Sequence, residues 1–190
     1  YKDRRNEDGV YEFMEPSHGT PHARDYKRAD DELERQKTIL QTARSTVQSA
    51  IDGAYSEDLA NSRMKSSYEA LGKTDAPYSH GENGIDGVYK NPHGPPDYII
   101  TEVKHGNQLP KTLADGSKQA SDDWVRDRLD GHFAGEPGNT AADIKSKLGT
   151  DKVQKWLIQV DDHGRVTKHQ LDKDANLIPG TMVNHLGIGG

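Results

Sequence analysis

Asp86, Glu102 and Lys104 are three residues whose types and spacing suit phosphodiester chemistry. Glu102 and Lys104 stand two apart in Tyr98-Ile99-Ile100-Thr101-Glu102-Val103-Lys104, a run rich in β-branched and aromatic residues that reads as a strand. Side chains alternate faces along a strand, so both project to one side while Val103 turns to the other. Asp86 belongs to a preceding strand-like run, Ile85-Asp86-Gly87-Val88-Tyr89, and the turn-rich stretch from Lys90 to Pro96 joins the two. A hairpin therefore brings Asp86 alongside. Two carboxylates hold a hard cation such as Mg²⁺ through oxygen, and a neighbouring ammonium orients a water or neutralises charge on a pentavalent phosphate. By itself E-x-K is ordinary on an exposed strand, where alternating charge is a solvated face. Here Tyr98 and Ile100 share the face of Glu102 and Lys104, and charge on a partly apolar face costs free energy unless a metal or partner compensates.

Asp86 followed by Glu102-x-Lys104 at the end of the next strand resembles the PD-(D/E)xK nuclease signature of the restriction-endonuclease-like fold. Three longer segments carry the likeness further: Glu82 to Pro92, the Tyr98–Lys104 strand, and Lys118-Gln119-Ala120-Ser121-Asp122-Asp123-Trp124. Together they look like DNase domains at the C-termini of bacterial polymorphic toxins. The resemblance spans residues 55 to 170 and says little about the first fifty. It implies Mg²⁺ or Mn²⁺ bound by Asp86, Glu102 and the Val103 carbonyl, with Lys104 on the attacking water. It also implies an acidic residue from the preceding helix and a glutamine after the Glu102 strand, which map to Glu57 and Gln119. Glu57 shares the face of Ala60, Met64, Tyr68 and Leu71, whereas Glu69 sits off that stripe; a first-turn acid serving the helix dipole is the competing reading of Glu57.

The elements that must position these residues follow from the patterning. Residues 1 to 24 are polar and interrupted by Pro16, Gly19 and Pro21, a loosely ordered lead-in. Helix formers run from Asp25 to Ile51, with Leu33, Ile39, Leu40, Val47 and Ile51 as a thin apolar stripe, and Gly53 and Ser56 mark a break. A second helix is expected over 57–71, capped by Ser56 and stopped at Gly72. After the hairpin, a helix over 117–133 buries Trp124, Val125, Leu129 and Phe133, and a short one covers 140–148. The strands 155–160 and 165–169 flank Asp161-Asp162-His163-Gly164, a hairpin turn. The order predicts an α/β core, a mixed central sheet flanked by helices with an N-terminal helical extension, and the resemblance implies that this core is restriction-endonuclease-like. Residues 1–54 are expected to be lead-in and helix, and 55–190 the nuclease toxin domain.

Composition bounds the rest. Of 190 residues 31% are hydrophobic and 29% charged, so the core occupies only part of the chain. The absence of cysteine excludes disulfides, thiolate zinc sites and cysteine nucleophiles. No apolar run approaches a membrane span and no signal peptide opens the sequence, so export is expected to depend on an upstream delivery region or secretion machinery. A net charge of −6 runs against the basic balance usual in nucleic-acid enzymes, but bound cations offset the site carboxylates, and Lys104, Lys111, Lys118, Arg126 and Arg128 offer local phosphate contacts. Five of nine histidines precede glycine, namely His18, His80, His93, His105 and His163, which reads as turn chemistry. His105, next to Lys104, is the one singled out as a substrate contact. The expectation is a DNase toxin acting in the cytoplasm of a target bacterium, with a cognate immunity protein; an RNase with the same site or a non-catalytic binding module is the alternative.

Overall fold

Long-range pairing begins only after one extended helix. The computed structural model of the protein describes residues 21–75 and 84–184, and Pro21–Lys65 form a single helix, α1. The break expected at Gly53 and Ser56 does not occur. A glycine inside a helix costs roughly 1 kcal/mol relative to alanine, and the Ser56 hydroxyl donates back to the Asp52 carbonyl at 2.7 Å instead of capping a new start. Most of the lead-in and the glutamate–asparagine start of the 82–92 segment lie outside the described residues, as do His18 and His80.

The chain divides at Gln48/Ser49 into two compact units, where the sequence suggested 54/55. In the first unit the described part of α1 is exposed throughout, including Leu33, Ile39, Leu40 and Val47. Thr38, Thr42 and Thr46 donate to carbonyls one turn back, and the Glu32–Arg35 and Glu34–Lys37 pairs add exposed contacts worth a few tenths of a kcal/mol each.

The second unit holds a six-stranded mixed sheet in the order β1-β2-β3-β4-β5-β6. Its strands are β1 Glu69–Leu71, β2 Gly87–Lys90, β3 Tyr98–His105, β4 Val153–Val160, β5 Val166–Leu171 and β6 Val183–Asn184. All neighbours are antiparallel except β3 and β4, which run parallel. A parallel pair needs a crossover, supplied by α2 (Asp122–His132) and α3 (Thr140–Lys147). Strand β1 replaces the last turn expected of the 57–71 helix. The amides of Ser67 and Tyr68 both fold back onto the Met64 carbonyl, and the edge of β2 then satisfies the backbone of residues 69–71.

Alternation sorts the sheet into two buried faces, which makes a three-layer α/β domain. Val88, Tyr98, Ile100 and Val153 meet Trp124, Val125 and Leu129 of α2 and Ile144 of α3. On the reverse face Tyr89, Ile99, Val103, Trp156 and Ile158 meet Ala60 and Met64 of α1. Helix α2 starts later than the expected residue 117. Ala120 adopts φ 63°, a left-handed conformation that no helix continues through, and Ser121 then caps the helix by accepting the Trp124 amide at 3.3 Å.

Candidate active site

The site forms where the apolar row of β3 runs out from under α2 and α3. Tyr98 and Ile100 are core residues, and Glu102 and Lys104 continue the same row. Glu102 is 1% exposed, and Lys104 Nζ donates to its Oε1 at 2.5 Å. The other carboxylate oxygen, Oε2, is buried and has no hydrogen-bond partner among the described residues. An unpaired buried carboxylate oxygen is costly, so it marks where an additional positive group would be stabilising.

Asp86 reaches the same place by a fork in the sheet. The last β2–β3 pair is Gly87 with Thr101, and one residue earlier the chain bends away from the ladder. The Asp86 carboxylate then takes the role of the missing backbone partner, its Oδ2 accepting the Val103 amide at 2.6 Å. Gly87 allows the approach, because a Cβ there would lie 2.6 Å from Thr101 Oγ1 and 2.7 Å from the Tyr89 ring. Asp86 thus sits at the start of β2 rather than within it.

The electrostatics are those of crowded, desolvated acids. Burial, then the Asp86 charge, raises the Glu102 carboxyl well above its ordinary range against the pull of Lys104. Asp86 is raised by burial, with the Val103 amide and Lys104 opposing. Glu57, from α1, is pushed up to about 8 by burial and then by Asp86, with Lys104 opposing. Burial works against the Lys104 ammonium too, but Glu102, Asp86 and Glu57 together hold its pKa above the ordinary value. The four groups sense one another, and the shared excess of negative charge favours a cation.

Glu57 contributes to this field without closing a cage. Among the described residues, no three His, Cys, Asp or Glu side chains converge to hold a metal, so Asp86, Glu102 and Glu57 do not assemble as a complete ligand set. The donors present still fit Mg²⁺ or Mn²⁺. Mg²⁺ keeps several waters and takes one or two carboxylates, and the orphaned Glu102 Oε2 beside Asp86 matches that need.

Gln119 falls in a loop rather than a helical first turn. Its side-chain Oε1 accepts the Lys111 backbone amide at 3.1 Å and its backbone N–H donates to the Lys111 carbonyl at 2.9 Å. The residue closes a small hairpin over Lys111–Gln119, and its hydrogen bonds go to Lys111. This hairpin is held over β4: Gln159, paired with Lys104 in the β3–β4 ladder, donates to the Gln108 carbonyl at 2.8 Å, and Ala120 packs with Leu157, the partner of Glu102. Lys111 is exposed, whereas Lys118 donates to Asn176 Oδ1 at 2.8 Å. Arg126 donates to the Lys145 carbonyl and Arg128 stacks on Trp124, so both serve the α2–α3 layer. Glu69, the competitor of Glu57, lies exposed in β1 opposite Lys90.

His105 is not presented as a substrate contact. Its Nδ1 lies 3.2 Å from Ser56 Oγ and its Nε2 2.9 Å from Asp162 Oδ1. The sequence offered Ser56 only as a break and cap and Asp162 only as a turn residue; neither spacing nor residue type connects them to His105, so far away along the chain. No family model matches the chain, and no curated protein and no solved structure matches it either.

Proposed function

We propose that this chain is a metal-dependent endonuclease of the restriction-endonuclease-like type, a DNase toxin domain delivered into target bacteria. The observation that carries the reading is Glu102, buried with one oxygen on Lys104 and the other unpartnered, beside a carboxylate fastened to the next residue's amide. A purely structural ion pair has no use for the orphaned oxygen or for a second, half-buried acid. Asp86, Glu102 and the Val103 carbonyl would hold the ion, with Glu57 on the waters around it. Bound Mg²⁺ or Mn²⁺ supplies a lowered water pKa and charge stabilisation at the phosphate.

The remaining chemistry belongs to the chain. Lys104, held by Glu102 and ionised, donates to the attacking water or to a phosphate oxygen on the solvent side of the strand. The raised carboxyl pKa values let the site release protons when it takes up a cation. Lys111 offers its exposed ammonium to the nucleic-acid backbone, and Lys118 stands beside it in the same hairpin. No helix among the described residues is long and apolar enough to cross a membrane. An immunity protein that protects the producer would present carboxylates toward Lys104, Lys111 and Lys118 in place of phosphates.

The test is incubation of purified protein with plasmid DNA and with total RNA, in Mg²⁺ and in EDTA, beside Asp86→Ala, Glu102→Ala and Lys104→Ala. Metal-dependent loss of the plasmid by the wild type alone is the expected result. Full activity of Glu102→Ala would remove the assignment, and cleavage of RNA alone would move the substrate. Expression of the soluble domain in bacteria should degrade DNA and arrest growth, with rescue by the neighbouring gene; harmless soluble protein would remove the toxin reading.

A further inference from the structure

A part-buried contact joins the residue before Glu57 to the residue after Lys104. Ser56, on α1, is 1% exposed and gives its hydroxyl proton to the Asp52 carbonyl at 2.7 Å. Its oxygen is then left to accept from His105 at the end of β3, whose Nδ1 lies 3.2 Å away. The opposite nitrogen meets Asp162 at 2.9 Å. Asp162 rides on the β4–β5 turn, which is itself stiffened, because Asp161 accepts the amides of His163 and Arg165 and the Arg165 guanidinium. Gly164 in this turn has φ +71°, and a Cβ there would lie 2.8 Å from the Tyr55 hydroxyl, so turn and helix abut with no room for a side chain.

Resting on the nuclease reading of the neighbouring carboxylates, we infer that Ser56, His105 and Asp162 form a bolt that positions Glu57 against the Glu102–Lys104 strand. Glu57 needs such a device. No hydrogen bond among the described residues fixes its carboxylate, so its place depends on the helix that carries it. A rotation or slide of α1 would carry Glu57 away from the site. Turning about the helix axis moves Ser56 together with Glu57, and the His105 bond resists that movement directly. His105 is therefore a positioning residue, with both ring nitrogens engaged inside the fold. The same bond orders the end of β3 just beyond Lys104.

The experiment is a double-mutant cycle between His105→Ala and Glu57→Gln in the full chain, read by calorimetric titration with Mn²⁺ and by steady-state DNA cleavage. His105→Ala is expected to weaken Mn²⁺ binding and lower kcat about tenfold or more, leaving KM for DNA unchanged. In the Glu57→Gln background the same change should add less than about twofold, because the residue it positions is already lost. Ser56→Ala should parallel His105→Ala, which keeps the test open if the latter folds poorly, and Asp162→Asn, whose side chain is 88% exposed, should cost less. Equal losses in both backgrounds would overturn the bolt, as would a raised KM with unchanged Mn²⁺ binding, the mark of a substrate contact. Absence of cleavage by wild-type protein with the Mn²⁺ cycle intact would remove the nuclease reading and leave the bolt standing; absence of Mn²⁺ binding by the wild type would remove both.

Discussion

The backbone amide of Val103 donates to the carboxylate of Asp86 at 2.6 Å. A side chain thereby completes a ladder that the neighbouring strand abandons, and the fork holds one acid beside another. Replacement by asparagine keeps an acceptor for the amide and removes the charge. Asp86→Asn is expected to melt higher than the wild type in EDTA, since Glu102 and Glu57 lose a repelling neighbour. It should also lose the rise in melting temperature that Mg²⁺ or Mn²⁺ gives the wild type, as differential scanning fluorimetry would show. A metal-induced rise of wild-type size in the variant would place the cation elsewhere.

Glu57 and Glu69 separate two readings of the chain before the sheet. Glu57 is part-buried in the field of Asp86 and Lys104, and Glu69 is exposed opposite Lys90. Glu57→Gln should slow DNA cleavage by about tenfold or more, while Glu69→Gln stays within about twofold of the wild type. The reverse order in a plasmid-nicking assay would mean that α1 presents a different face to the site.

Stability of the metal-free protein should fall as pH rises. The folded Glu57 pKa of about 8 lies above its ordinary value of 4.5, and Glu102 moves in the same direction. The folded state therefore binds protons more tightly than the unfolded chain. That contribution is fully present below about pH 4.5 and is lost as pH approaches about 8. Urea titrations in EDTA across this window should show a declining midpoint, and saturating Mg²⁺ should flatten the decline. A midpoint that climbs with pH in EDTA would contradict the crowding of these acids.

Lys155 supplies a test of the scaffold apart from the chemistry. It is 5% exposed, donates to Asp122 Oδ1 at 2.5 Å and to the Lys173 carbonyl at 3.2 Å, and so ties β4 to the start of α2. Lys155→Ala leaves Asp122 unpaired and should cost on the order of 3 kcal/mol, measured by chemical denaturation. Because Lys155 stands opposite Ile100, two residues down the β3–β4 ladder from Glu102, cleavage per folded molecule should change little. A loss below about 1 kcal/mol would mean that the pair is looser than its geometry.

Local patterning was enough to place Glu102 and Lys104 on one face and Val103 on the other, because strand alternation has a fixed period of two and needs no partner. It was also enough to find the Trp124 helix, the 140–148 helix and the Asp161–Gly164 turn, where hydrophobic spacing and turn residues agree. It failed where competition is settled at a distance. The Gly53–Ser56 stretch reads as a break, yet Ser56 is a buried partner of His105, 49 positions away in the sequence. Residues 69–71 look helical by their side chains, yet the open edge of β2 takes them as a strand. Gln119 has the composition of a helix start, but the left-handed Ala120 and the hairpin to Lys111 hold it in a loop. Sequence by itself determined which residues could do chemistry. Only tertiary structure decided which meet, because backbone pairing and burial are satisfied between elements, and the free energy that orients Asp86, Glu57 and His105 comes from partners that no local spacing reveals.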